Sequence, residues 1–344
     1  MLVRDGVRPH RLLVTAYDDG LVKIGSRFVD LDGEPVPLPD WAGRVVVPNT
    51  HGETFARLRL GDRSWAAVAD GLGSLADDLA RSVLWATAMD AVASRALTFE
   101  TYLTLVERHL LAERHSGLVT AVADVTLGPL LVTRVGGADA AAVHERLAAA
   151  CRAGLANGGH PVAFTRGLAR ASRDRDELRR WLAEGRTDHD VTLDPRLRWA
   201  AVHRLALLGD LDADGIEAER RRDGTAEGDL GAASALAARP LPEAKEAAWS
   251  ELVADDVSNR RWSMVSAGLW SAEQAELAAP YFPRYLDAAP RLAERGPAFA
   301  QVVGEAAKRL LLDPSQVEQL RDALTGEVPT VLRRCWEDAL DDRS

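Results

Sequence analysis

SWAAVADGLGSLADDLARSVLWATAMDAVAS, residues 64–94, sets Trp65, Val68, Leu72, Leu75, Leu79, Val83, Leu84 and Met89 at helical spacings, with a break at Gly71 and Gly73. Apolar residues three and four apart form one stripe on a helix, whereas a strand would alternate. The same period recurs toward the C-terminus in FETYLTLVERHLLAE (99–113), AAAVHERLAAACRAGL (140–155), DELRRWLAEG (176–185) and PRLRWAAVHRLALLG (195–209). It continues in LPEAKEAAWSELVADD (241–256), SAEQAELAAPYFPRYLDAA (271–289) and AFAQVVGEAAKRLLL (298–312). Gly158-Gly159, Asp194-Pro195, Gly209-Asp210, Arg239-Pro240 and Asp313-Pro314 separate the runs as stop and restart signals. Ser271, with Gln274 three residues on, has capping-box spacing.

Helices of roughly 10 to 18 residues whose pairs recur about every 35 to 45 residues suit stacked helical hairpins. The expected fold is therefore mainly α: an α-solenoid, a HEAT- or armadillo-like superhelix, over residues 61–344. No clean sequence self-similarity accompanies the spacing. Such arrays bend into concave surfaces.

Working back toward the N-terminus, the pattern changes near residue 60. RLLVTAYD, LVKIGSRFVDLD and RVVVP read as strands, with Asp18-Asp19-Gly20 and Asp32-Gly33 as turns between them. EPVPLPD reads as a loop or an edge, and FARLRL (55–60) as a last strand before the first helix. Residues 1–60 are expected to form part of a small antiparallel β-sandwich.

With 344 residues, 47% of them hydrophobic, the chain can bury a sizeable core. Its net charge of -10, from 42 Lys and Arg against 52 Asp and Glu, weighs against a nucleic-acid partner. The basic runs at 173–180 and 220–222 are interleaved with or flanked by acids and read as solvated helix faces. No run reads as a membrane span, and MLVRDGVRPHRLLV lacks the apolar core of a signal peptide, so the expected location is the cytoplasm. Cys151 and Cys335 form no disulfide framework or thiolate metal site, and Cys151 reads as a small buried hydrophobe.

A zinc peptidase helix needs two His one turn apart with a Glu beside the first, so that all three face one metal and its water. His144-Glu145 begins that way, but position 148 is Ala. His109 and His115, six apart, face different sides of a helix. DLDADG (210–215) lacks the closing Glu of a calcium loop and reads as an interhelical turn. There is no nucleophile elbow and no phosphate-binding loop, and the Gly pairs at 136–137 and 158–159 read as helix-ending turns. Trp85, Trp181, Trp199, Trp249 and Trp336 lie in apolar stripes and read as core, whereas Trp262 and Trp270 flank a loop-prone stretch and are candidates for the surface.

Two stretches carry a family resemblance. One is Arg8-Pro9-His10-Arg11-Leu12 followed by VTAYDDG and VDLDGEPVPLPD; the other is Pro48-Asn49, then Gly52-Glu53-Thr54-Phe55-Ala56-Arg57-Leu58-Arg59-Leu60 and Trp65. In that order they resemble the junction between the small β-sandwich and the C-terminal helical domain of M1 family (aminopeptidase N-like) zinc aminopeptidases. LDPRLRWAAVHRLALLGD (193–210) and RPLPEAKEAAWSELVADDVSNRRWSMVSAGLW (239–270) are similar to helical segments of actinobacterial members. The resemblance covers residues 8–310. Where many bacterial relatives carry an acidic run after the Asn, this chain has Thr50-His51-Gly52-Glu53.

The resemblance implies a chain lying downstream of the family's G-x-M-E-N loop and H-E-x-x-H zinc helix, neither of which is present here. It implies a β-sandwich lacking strands, and a helical domain that closes over the active site as a chamber and limits peptide access. The expected function is thus a non-catalytic C-terminal lid and chamber region. It would hold no zinc or other cofactor of its own, and a separate M1 catalytic domain or a peptide would be its partner. The alternative is a standalone α-solenoid that binds a peptide or protein. An enzyme of unrecognised type is the third reading, for which no nucleophile, base and orienting group can be named. Arg198, His203 and Arg204 on RLRWAAVHRL are the polar residues expected either to face a groove or to lie on the solvent side.

Overall fold

A computed structural model of the chain describes residues 2–3, 8–135 and 137–343; residues 1, 4–7 and 344, and Gly136 of the 136–137 pair, lie outside the described residues. β1 (His10–Tyr17), β2 (Lys23–Leu31) and β3 (Val45–Pro48) form one antiparallel sheet in the order β2-β1-β3. Cross-strand partners share a face. Leu12, opposite Val29, therefore packs with Val14, Leu31 and Leu38 on one side. On the other side Tyr17, opposite Val45, joins Val47 in the helical core. Both faces of β1 are covered, which is why RLLVTAY runs apolar without alternating. Asp18 closes the β1–β2 turn by accepting from the amides of Gly20 and Val22 at 3.0 and 2.8 Å.

FARLRL is not a strand. Residues 55–60 alternate in exposure but join no ladder, and the Phe55 side chain is fully exposed. β2 and β3 occupy both edges of β1, and residues 55–60 pair with neither of their outer edges. Among the described residues the expected sandwich is this single sheet. Asn49 turns the chain away from β3 at φ 56°, with its side-chain amide bonded to the carbonyl and N–H of Thr54 at 2.8 and 3.1 Å.

The rest of the chain is helical. The opening stretch forms α1 (Asp62–Gly71) and α2 (Asp78–Ala93) with a 3-10 turn at 72–74 between them. Gly73 packs on His109, which accepts from the Gly73 amide at Nδ1 (3.1 Å) and donates from Nε2 to Ala69 O (2.8 Å). Leu79, expected in the stripe, is exposed instead in the first turn of α2. Next come α3 (Phe99–His109), α4 (Ser116–Val125), α5 (Leu131–Arg134), α6 (Ala140–Ala156), α7 (Pro161–Ala171) and α8 (Arg175–Glu184). They are followed by α9 (Pro195–Leu207), α10 (Ala213–Asp223), α11 (Ala226–Ala238), α12 (Pro242–Leu252) and α13 (Asn259–Leu269). The last are α14 (Ala275–Ala278), α15 (Tyr281–Ala293), α16 (Pro297–Glu305), α17 (Pro314–Ala323) and α18 (Thr330–Asp341).

α4, α7, α9, α11, α13, α16 and α18 pack each against the next, while α6, α8, α10, α12 and α15 back that row. One large core runs from the sheet to Leu205, and a second occupies residues 233–339. Trp262 and Trp270 both belong to the second core, at 2% and 8% exposure, and not to the surface. The stretch between Trp262 and Trp270 is not a loop but the helix α13, opened by a Ser258 cap. Gln274 makes no capping box with Ser271: it is buried and donates to Leu207 O and Ala238 O, both at 2.8 Å. A capping box forms instead at Asp313 and Gln316.

Ser116–Arg134, a 19-residue helical stretch with mean hydropathy 1.5 in its most apolar window, is long and apolar enough to cross a membrane by length and composition, contrary to the sequence reading. It is not one straight rod. A π-helical turn at Thr126–Leu130 bends it, with Gly128 at φ -106°, ψ -110° and Pro129 beside it, and Val119, Val122 and Leu131 are buried in the first core.

Arg81 and Glu113 are a fully buried pair beneath α2. Glu113 accepts from Arg81 Nε (3.2 Å) and Nη2 (3.1 Å), from Trp85 Nε1 (3.2 Å) and from the amides of Arg114 and His115. Asp78 also holds Arg81 from the solvent side, so removing Glu113 leaves the buried guanidinium with an exposed partner only and Trp85 Nε1 without an acceptor, at a cost of about 1–3 kcal/mol. Glu113→Ala is expected to lower unfolding free energy by about that much in urea titration, and a loss below about 1 kcal/mol would contradict the pairing.

Candidate functional site

The inner row of helices surrounds a cavity of about 1300 Å³. Asp194 caps α9, accepting from the Leu197 amide at 2.7 Å, and Pro195 fixes its first turn. From that start Arg196, Trp199, Ala200, His203 and Leu207 fall on the side of α9 that lines the cavity. Arg204 reaches its edge. Arg198 points the other way: its guanidinium is held by Glu219 at 2.6 Å on both Nε and Nη2 and donates to Leu182 O. The five residues separating positions 198 and 203 turn a helix by roughly 500°, so the two cannot share a face. Of the three residues singled out in the sequence, the structure places His203 and Arg204 at the cavity and Arg198 away from it.

A buried carboxylate organises one end of the cavity. Glu273 is bonded to Arg204 and Arg173, and His144 Nε2 lies 3.3 Å from its Oε1. Arg204 also donates from Nε to Ser172 O at 2.7 Å. Burial alone would raise the Glu273 carboxyl, but the Arg204 hydrogen bond and the charges of His144, Arg204 and Arg173 hold it below the usual carboxylate range. Burial pushes His144 down, against the pull of Glu273. Its Nδ1 donates to Ala140 O at 2.8 Å.

His203 differs from His144. It makes no hydrogen bond among the described residues, and burial followed by the charges of Arg204, Lys245 and Arg170 pushes its pKa down to about 4. Lys245 lies fully buried behind it, with Nζ donating to Ala237 O (2.7 Å) and Gly268 O (3.1 Å) in the last turns of α11 and α13; burial brings it down to about 7.

The facing wall is apolar. The π turn brings Leu127, Gly128 and Pro129 to the cavity with Leu131 and Val132. Trp199 lies flat on Gly231, where an added Cβ would stand 2.4 Å from its ring, and its Nε1 donates to Asp223 at 2.7 Å. Neither Glu273 nor the π turn was singled out from the sequence. The Gly-Pro pair inside an apolar helix was the available signal for the second, whereas nothing local marks Glu273.

The partial zinc signature is dispersed. His144 faces Glu273, Glu145 lies on the surface 3.7 Å from Arg173, and Ala148 is in the core. Among the described residues no three His, Cys, Asp or Glu side chains gather as a metal site. Cys151 and Cys335 are buried and unpaired, and burial pushes Cys151 to about 12. Asp212 in DLDADG caps α10 through the Gly215 amide.

Residues 45–343 match the ERAP1-like C-terminal domain, and the chain belongs to that family. Aminopeptidase N of Streptomyces lividans is 34% identical over 305 residues, which cover 82% of this chain and 35% of that protein. Together the two matches make this a C-terminal region of an M1 aminopeptidase-like protein. It spans about a third of the length of the relative it matches.

The His203 environment sets a pH dependence. Its folded pKa, about 4, lies below the ordinary 6.5, so as pH falls through that window the unfolded chain takes up the proton first and the folded state loses stability. Thermal melts from pH about 7 to about 4 should therefore show falling Tm, and His203→Gln should show a shallower fall. Parallel profiles would mean that the imidazole is not held neutral.

Proposed function

We propose that this chain is the chamber of an M1-type aminopeptidase: a helical superhelix that closes round a peptide and shapes its access to a catalytic region supplied by another segment or chain. The cavity carries this reading. At about 1300 Å³ it exceeds the roughly 300–1,000 Å³ of ordinary small-molecule pockets, which suits an extended peptide. Its walls divide into an apolar side at the π turn and a polar side on α7 and α9, the mixture a peptide backbone with varied side chains requires.

Two further features support it. The successive packing of the inner helices is that expected of stacked helical pairs bending round a concave face. The circuit also closes, because Arg134 donates to Asp342 O at 2.8 Å and Arg95 to Arg343 O. Both family matches are to aminopeptidase sequences or their C-terminal domain.

Co-expression with the S. lividans aminopeptidase N lacking its matching C-terminal segment tests the proposal. A complex is expected to co-purify and to cleave short peptides in preference to long ones, compared with the truncated enzyme alone. Failure to associate, with both pieces folded, would sink the reading.

A further inference from the structure

A second recess lies against β3 and shares no lining residue with the chamber. It holds about 450 Å³ between the stretch that leads into β3 and the stretch that leads into α1. Pro37, Pro39, Trp41 and Leu60 give it an apolar wall. Arg44 joins from the first stretch and Arg59 from the second. Both arginines are exposed, and neither side chain makes a hydrogen bond or ion pair among the described residues. No Asp or Glu is among the described residues that line the recess, although the chain carries a net charge of -10. Asp40 is turned to Arg27 at 3.4 Å, and that guanidinium also stands 4.8 Å from the centre of the Trp41 ring. Asp62, next to Gly61, opens α1 and does not line the recess.

These residues select a partner by two properties at once. A guanidinium without a partner donates to a carboxylate in pairs of N–H bonds. An indole set among prolines covers apolar or prolyl side chains of an extended peptide. A small inorganic anion would satisfy the arginines and leave that wall wet. Addition of a strand to β3 is blocked at this point, because Val46 N–H donates to Ser64 Oγ at 3.2 Å and Ser64 Oγ donates to Val46 O at 3.3 Å. Recognition therefore falls to side chains. We propose that the recess docks an extended acidic segment of a partner protein, with carboxylates on Arg44 and Arg59 and an apolar side chain on Trp41 and Leu60. The site is separate from the chamber and does not depend on what the chamber holds.

Fluorescence anisotropy on the full chain tests this with two labelled, end-blocked peptides, one of alternating Glu and Pro and the other of alternating Gln and Pro. Proline keeps both extended. At low salt the Glu peptide is expected to bind about tenfold or more tighter than the Gln peptide, and added salt should narrow the gap. Arg44→Gln combined with Arg59→Gln should erase the preference, and the two Arg→Lys changes together should retain much of it. Trp41→Ala should weaken the Glu peptide while leaving a preference for it over the Gln peptide. Far-UV circular dichroism checks that each variant is folded. Equal binding of the two peptides, no binding of either, or a Glu preference that survives in the folded double Arg→Gln variant would each overturn the proposal.

Discussion

Glu273 joins the two halves of the molecule. It sits in the short turn after α13, among residues of the second core, and its partners come from α6, from α9 and from the turn between α7 and α8, all in or beside the first. A carboxylate taken out of water is costly unless it is paired and hydrogen-bonded. Here two guanidinium groups and an imidazole converge on it, and Arg204 in turn reaches Ser172 O. The cluster ties residues of the two cores together at one end of the cavity.

A second joint closes the circuit on the opposite side. It is built differently, from arginines that donate to backbone carbonyls: Arg134 to Asp342 O at 2.8 Å and Arg95 to Arg343 O. Side chains packed at interior density leave few voids, so a concavity of about 1300 Å³ is not left over from poor packing. It is held open by the ring. Small residues matter where helices of that ring approach closely. An added Cβ on Gly268 would stand 2.2 Å from Ser234 O, which shows how tightly α13 lies on α11.

Membership of the ERAP1-like C-terminal domain family fits this architecture. The chain covers 35% of its Streptomyces relative, and 82% of its own length takes part in that match. Its cavity is lined by the apolar bend at Leu127–Pro129 and by Arg166, Arg170, His203 and Arg204.

The sequence by itself determined the helices, the strands β1 to β3 and the family. The 3.6-residue stripes, the Asp194-Pro195 and Asp313-Pro314 starts and the Asp18 turn act within a few residues, so a linear reading captures them. The missing second His at Ala148 was equally local. Only the tertiary structure decided that FARLRL stays unpaired, that Trp262 and Trp270 are buried, and that His203 faces the cavity while Arg198 turns to Glu219. It alone joined Glu273 to residues 69 to 129 positions away in the chain. Strand edges, helix phase and ion clusters depend on which distant segment arrives beside them, and a residue's own neighbours in sequence carry no record of that.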